Sequence, residues 1–294
     1  MNPQVWLIVF FVSLSGIVSA AAGPTREQTA QEIAVPPSGE TQELVLKDGT
    51  RAFGRVERID GTRVVFITTS GATIAVETSQ VVSVRVVEGR MIAGEFRRAD
   101  PNPTRLFFTP TGRSLKKGDG YFGVYEILLP FVQYGITDRI SIGAGTPLIF
   151  GAGSEHPFWV TPKVQVIDRR LTKASLGIMH FLNVGDGNLG IAYGVVTQGH
   201  ADSALTMGLG YAYERSYGES NGAGVAMVGG EHRVRRGIKV ITENYFFSEG
   251  GLVSLGVRLM GERLSADLGL VAPLGVGEIF VFPLVNFVWS FSRP

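Results

Sequence analysis

The sequence offers few residues arranged for chemistry. Its four histidines, His156, His180, His200 and His232, include no pair at the i, i+4 spacing of a helical metal site. His156 and His200 fall in expected connections. Cysteine is absent, which removes thiol catalysis, disulfides and cysteine-ligated metals. Glycine-rich stretches such as Gly143-Ala144-Gly145 and Gly222-Ala223-Gly224 lack the Lys-Ser/Thr ending and following helix of a phosphate loop. These patterns give no catalytic residue, no metal ligand and no cofactor. One polar group does stand out. Glu243, Arg258 and Asp267 fall on three consecutive candidate strands. With a tight turn at Glu262-Arg263, Arg258 and Asp267 lie directly opposite one another, and Glu243 lies one diagonal step away. Ile241, Tyr245 and Phe247 share the parity of Glu243, so its own strand does not fix which way it points.

The elements that carry these residues read as strands. In 205–213, Leu205, Met207, Leu209, Tyr211 and Tyr213 share one face, and Thr206, Gly208, Gly210 and Ala212 share the other. In 264–272, Leu264, Ala266, Leu268, Leu270 and Ala272 oppose Ser265, Asp267, Gly269 and Val271. Alternation places one face against something oily. The other face is built mainly of glycine, alanine, serine and threonine. A water-exposed face would use lysine and glutamate, whereas the lumen of a narrow barrel uses small residues and a few buried charges. Charged residues make up only 18% of the chain, below the usual ~25%. After the N-terminus no apolar run reaches the ~18 residues of a membrane helix. The net charge of +1 gives no reason to expect nucleic acid as a partner.

Twelve candidate strands follow the proline-rich hinge at Asp100-Pro101-Asn102-Pro103: 105–109, 121–135, 139–149, 158–168, 173–184, 188–197, 203–214, 223–233, 237–247, 252–261, 264–274 and 278–291. Bacterial single-chain barrels have even strand numbers; ten is the alternative count. With the first strand starting in the periplasm, the even connections (136–138, 168–173, 234–237, 261–264) are mostly tight. The odd ones (110–120, 151–157, 215–222) are longer, and 185–187 is a short exception. Both chain ends are then periplasmic.

The N-terminal part reads as three pieces. Residues 1–22 have the apolar run and small-residue cleavage sites of a secretory signal peptide; an uncleaved anchor is the other reading. Residues 23–40, rich in Pro, Thr, Gln and Glu, read as a disordered linker. Residues 41–98 hold five short strands separated by turns such as Asp48-Gly49 and Asp60-Gly61. The phrase LVLKDGTRAFGRVERIDGTRVVFIT resembles the Sm-like pattern, so a small SH3-like or Sm-like β-barrel is expected there. Sm-like proteins often bind RNA. Here Lys47, Arg51, Arg55, Arg58, Arg63, Arg85 and Arg90 are nearly balanced by Glu43, Asp48, Glu57, Asp60, Glu77 and Glu88. An interaction module with a periplasmic protein partner, or a structural cap, is favoured over nucleic acid, and the sequence does not choose between the two.

Phe287, Trp289 and Phe291 place alternate aromatics near the C-terminus. This resembles the terminal strand by which outer-membrane barrels are recognised by the barrel assembly machinery, although the tail Ser292-Arg293-Pro294 departs from a final aromatic. The phrases NPTRLFFTPTGRSLKKGDGYF (102–122), YGITDRISIGAG (134–145), ITENYFF (241–247) and GVRLMGERLSADLGL (256–270) resemble an uncharacterised family of bacterial predicted outer-membrane β-barrel proteins, over roughly 41–291. The resemblance implies an architecture, and no catalytic residue can be carried over from it. Outer-membrane phospholipases place a His-x-Ser pair before Asn-Gly. Glu219-Ser220-Asn221-Gly222 has the second half of that phrase, but Gly218 stands where the histidine would be. His180-Phe181-Leu182-Asn183 has the histidine without the serine.

The expected molecule is therefore all-β: a small SH3/Sm-like domain followed by an antiparallel transmembrane β-barrel of about twelve strands over 104–294, in the outer membrane and touching its lipid. A non-enzymatic envelope role is expected, with a narrow solute channel and a hydrolase as alternatives. An arginine facing lipid at the midplane would cost ~2–4 kcal/mol, so Arg258 should point inward and pair. Glu243, Arg258 and Asp267 then form a lumen ion network, read either as filling for a narrow barrel or as a gate.

Overall fold

A computed structural model describes residues 41–87, 89–92, 95–148, 156–184, 187–216, 219–275 and 280–291. The expected signal peptide and linker lie outside these. The chain divides into two compact units, residues 1–87 and 88–294.

In the first unit, β1 (Gln42–Leu46), β2 (Arg51–Asp60), β3 (Arg63–Thr68), β4 (Thr73–Glu77) and β5 (Val81–Val86) form one antiparallel sheet in the order β4-β3-β2-β1-β5. A single 3₁₀ turn, Thr78–Gln80, links β4 to β5. Gly54 lets β2 bend over β3, since a Cβ there would fall 1.9 Å from the Ile67 carbonyl oxygen. Leu44, Val64 and Phe66 form the buried centre. Glu43 is fully buried on the opposite face of β1, held by Arg85 at 2.7 Å and Arg51 at 3.5 Å.

The second unit opens with the hairpin β6 (Gly89–Ile92) and β7 (Glu95–Arg98). Its remaining strands are β8 (Gly120–Tyr125), β9 (Leu129–Gly135), β10 (Ile140–Gly145), β11 (Phe158–Val160), β12 (Lys163–Asp168), β13 (Thr172–Val184), β14 (Gly187–His200), β15 (Ser203–Ser216), β16 (Glu219–Arg235), β17 (Ile238–Phe247), β18 (Gly250–Met260), β19 (Leu264–Leu274) and β20 (Phe282–Phe291). They form a single closed antiparallel sheet, with β20 pairing back onto β8. β11 and β12 both pair with β10 and β13, so they are one stave broken at Thr161-Pro162. The barrel therefore has twelve staves.

The count of twelve matches the expectation, but two of the staves do not. Residues 105–109 are not a wall strand, and 121–135 is two strands rather than one. The hairpin turn between them carries no glycine, asparagine or aspartate. It uses Glu126 (φ 47°) and Ile127 (φ 65°) in the left-handed region, closed by a bond from the Leu128 N–H to the Tyr125 carbonyl at 3.1 Å. That turn is invisible to a reading based on turn residues. Glu219–Gly222, expected in a connection, opens β16 instead.

Alternation follows the expected faces. Leu205, Met207, Leu209 and Tyr211 of β15 point out, with Leu209 73% exposed. Thr206 and Ala212 of the same strand point in and are buried. Aromatic rings lie over glycines of neighbouring strands, as Phe291 does over Gly120, Trp159 over Gly145 and Tyr193 over Gly177. The missing side chains make the space that the rings fill.

Candidate functional site

Residues 99–119 form an insert, of which 100–115 run inside the barrel. The segment enters at the rim where β8 starts, turns over at 106–109, and returns to the same rim to begin β8. Its own backbone–backbone bonds are few: Leu106 N–H to Thr109 O at 2.9 Å, Thr111 N–H to Thr104 O at 2.8 Å and, at its end, Asp119 N–H to Lys116 O at 3.1 Å. Between 100 and 117 it makes no backbone hydrogen bond to the wall among the described residues. Buried peptide groups left without partners are costly, so wall side chains must supply them. The segment expected as an outer loop, 110–120, is thus the return limb of this insert.

Arg258 and Glu243 divide that task by polarity. Arg258 is fully buried. It donates to the carbonyl oxygens of Asn102 at 2.6 Å, Arg105 at 3.2 Å and Leu106 at 2.6 Å. Glu243 accepts the next three amides: Phe107 at 2.9 Å, Phe108 at 3.1 Å and Thr109 at 3.0 Å. The tip of the insert is thus held as a dipole, carbonyls on a cation and amides on an anion. Such charge-assisted bonds are about twice as strong as neutral ones. Tyr245 donates to the other Glu243 oxygen at 2.6 Å. Around Glu243 the β17–β18 ladder is interrupted: Thr242 pairs with Leu255 and Tyr245 with Leu252, with no register partners between. Side chains close the seam instead. Asn244 Oδ1 accepts the Ser254 amide at 3.2 Å, and Ser254 Oγ donates to the Glu243 carbonyl at 2.5 Å.

A second feature is a row of charges in register across the wall. Arg233 lies opposite Lys239, Lys239 opposite Arg258, Arg258 opposite Asp267, and Asp267 opposite Asn286. Two cations directly opposite one another repel. Asp267 takes Arg258 at 2.7 and 2.9 Å, and Glu231 takes Lys239 at 2.7 Å. Asp100 of the insert completes the set, 2.6 Å from Lys239 and 3.3 Å from Arg258. Burial alone would raise the Asp100 carboxyl. The two cations override it and hold the group well below the usual carboxylate range.

The return limb is tied by further polar anchors. Lys163 Nζ donates to the Arg113 carbonyl at 2.6 Å, Gln165 and Ser175 donate to the Gly112 carbonyl at 2.9 and 3.0 Å, and the Gly112 amide donates to Thr197 Oγ1 at 2.8 Å. Arg113 pairs with Glu231. Arg105 has no carboxylate partner in this set. It donates to Tyr121 Oη at 3.0 Å and Gln133 Oε1 at 2.9 Å, near the Tyr125 and Phe131 rings at 5.9 and 5.5 Å. Apolar contacts complete the fit: Leu106 and Phe107 pack with Val195, Met227, Ile241 and Leu284. A Cβ on Gly229 would fall 2.4 Å from Leu106 Cδ1, so this wall glycine is the space that the insert occupies.

The three residues singled out from sequence therefore all face the lumen. Arg258 and Asp267 pair directly, whereas Glu243 binds the insert and makes no ion pair with Arg258. Sequence reasoning missed Lys239, Asp100, Glu231 and Arg105. Lys239 carried a usable signal: it shares the inward parity of Glu243. Phe287, Trp289 and Phe291 face outward on β20, with Trp289 48% exposed, and β20 closes the barrel against β8. Among the histidines, His180 Nδ1 bonds Tyr213 Oη at 2.8 Å. His232 Nδ1 lies 3.1 Å from Ser203 Oγ at the rim where the chain enters. That contact is an exposed cross-strand pair between register neighbours. No group of three or more potential metal ligands occurs among the described residues.

No protein-family model matches the chain, and no curated protein matches its sequence. Solved structures resemble the barrel in outline. A KdgM porin is 7% identical, with a TM-score of 0.45 over 59% of this chain and 98% of that one. A NanC porin is 9% identical, with a TM-score of 0.38 over 60% and 98%. A loop-deleted form of OmpT, an outer membrane protein of Vibrio cholerae, is 12% identical, with a TM-score of 0.39 over 85% and 96%.

Proposed function

We propose that the chain is a Gram-negative outer-membrane β-barrel held shut by its own segment 99–119, with a non-enzymatic role in the envelope and its N-terminal β-unit in the periplasm as a docking module for a protein partner. The outer face supports the membrane setting. Leu209, Leu255, Leu270 and Tyr211 are 73%, 61%, 57% and 57% exposed, which is costly in water and suits lipid. Closed barrels are also one of only two folds that satisfy every backbone group in hydrocarbon. The observation that carries the closed-barrel reading is the grip of Arg258, Lys239 and Glu243 on the insert. A segment bound through buried charges is part of the fold, because releasing it would strand those charges.

Planar-bilayer recording tests this reading. The wild-type chain should be electrically silent, and a variant lacking residues 103–113 should leak. Stepwise currents from the wild type would instead support a narrow channel. One observation favours that second reading: the insert is tied by side chains without a backbone ladder, so it is separable in a way that a wall strand is not. A hydrolase would need an orienting group behind His232 and donors for an oxyanion. Unchanged esterase background in Ser203→Ala would remove it.

A further inference from the structure

The two rims of the barrel differ in charge. At the rim where the chain enters and leaves, five turns join β9 to β10, β12 to β13, β14 to β15, β16 to β17 and β18 to β19. Four of them carry exposed arginine: Arg139, Arg169 with Arg170, Arg235 with Arg236, and Arg263. Exposed Lys116 and Lys117 lie at the same rim, just before β8. The exposed acids there are Asp138, Asp168 and Glu262, of which Asp168 pairs with Lys173. At the opposite rim the described charged side chains are Glu126, Glu214 and Glu249 against Arg215.

The placement of the arginines is more telling than their number. Each arginine turn places an exposed cation next in sequence to an exposed apolar residue of the outer wall. Arg139 adjoins Ile140 (44% exposed), Arg170 adjoins Leu171 (38%), Arg235 adjoins Val234 (53%) and Arg263 adjoins Leu264 (52%). A phospholipid presents the same sequence of chemistries over a few ångströms, apolar chain and then phosphate. A guanidinium matches phosphate through paired donors. A rim built for a soluble acidic partner would not need an oily residue beside each cation.

We propose that this rim is a collar for the phosphate headgroups of anionic phospholipids in the leaflet that borders it, with Arg139, Arg170, Arg235 and Arg263 as its contacts. The proposal rests on the membrane-barrel reading above. It assigns the collar a specific partner, where a barrel anchored by its oily belt alone would be indifferent to headgroup charge.

The test is native mass spectrometry of the full chain purified in mild detergent and offered equal phosphatidylglycerol and phosphatidylcholine. The wild type should retain phosphatidylglycerol in preference by on the order of 10-fold, with the preference shrinking as salt rises. Replacing all four arginines by glutamine should bring the ratio near unity while heat-modifiability on a gel stays that of a folded barrel. Replacing them by lysine should keep most of the preference. Should the glutamine variant not fold, the lysine variant and the wild-type salt titration still decide. Equal retention of the two lipids by a heat-modifiable wild type would overturn the collar alone. Binding of an acidic soluble protein with no lipid preference would overturn it too, and give the rim a different partner. Recovery of the chain without detergent, free of any heat-modifiable form, would instead overturn the barrel reading beneath it.

Discussion

The outer and inner faces of the same strands obey different rules. Outside, β15 needs only apolar side chains at every second position, and Leu205, Met207, Leu209 and Tyr211 are all exposed there. Inside, the side chains answer to a segment more than a hundred residues away in sequence. Arg258 reads the carbonyls of Asn102, Arg105 and Leu106, and Glu243 reads the amides of Phe107 to Thr109. The outer face is therefore tolerant within a chemical class, and the inner face is specific at single atoms. The sharpest test is Arg258→Ala. It strands Asp267 and three carbonyls in a buried site, for a loss of ~3–5 kcal/mol. Denaturant unfolding in lipid or detergent should show it, and heat-modifiability should weaken. A loss below that of an ordinary surface substitution would break the comparison at its strongest point.

The reverse experiment is performed outside. Leu209→Met keeps the chemical class and the size and should leave stability nearly unchanged. Leu209→Arg breaks the class and should cost ~2–4 kcal/mol if the position lies near the membrane midplane. Equal small effects from both would mean that this face meets water.

Glu243→Gln probes specificity at a smaller scale. The shape persists, but one carboxylate oxygen becomes an amide nitrogen with no lone pair to offer. The loss should be ~1–3 kcal/mol. It should be accompanied by faster hydrogen exchange at Phe107, Phe108 and Thr109 than at amides of β15. Uniform exchange across both regions would mean that Glu243 does not hold the tip.

How far the molecule could be read from sequence follows the same division. The outer face was legible because its rule is local: the faces assigned to 205–213 and 264–272 are those of the structure. The Arg258–Asp267 register was legible because a tight turn fixes it. The insert was not. Leu106-Phe107-Phe108 between prolines has the texture of a strand, and nothing local says that its amides end on a carboxylate 136 residues away. The β8–β9 turn was hidden for another reason, since Glu126 and Ile127 adopt a backbone that sequence rules reserve for glycine and asparagine. The two misreadings offset one another, which is why the strand count agreed while two of its members did not.

That turn supplies the smallest effect and a test on which neither face of the wall should intrude. Ile127 is β-branched at φ 65°, where such side chains are strained. Glu126 anchors the turn through its amide, which donates to the Val285 carbonyl at 2.9 Å. Burial pushes the Glu126 carboxyl up to about 7 from its ordinary 4.5. A carboxyl raised in the folded state favours folding when protonated. Its contribution is therefore full below the unfolded value near 4.5 and fades as the pH climbs through 7. The difference in denaturant midpoint between wild type and Glu126→Gln isolates this group, because every other titration cancels. That difference should move against the wild type between pH 5 and pH 8. If it stays flat across the window, the Glu126 side chain is as solvated as an ordinary surface carboxylate and the turn is held by its backbone alone.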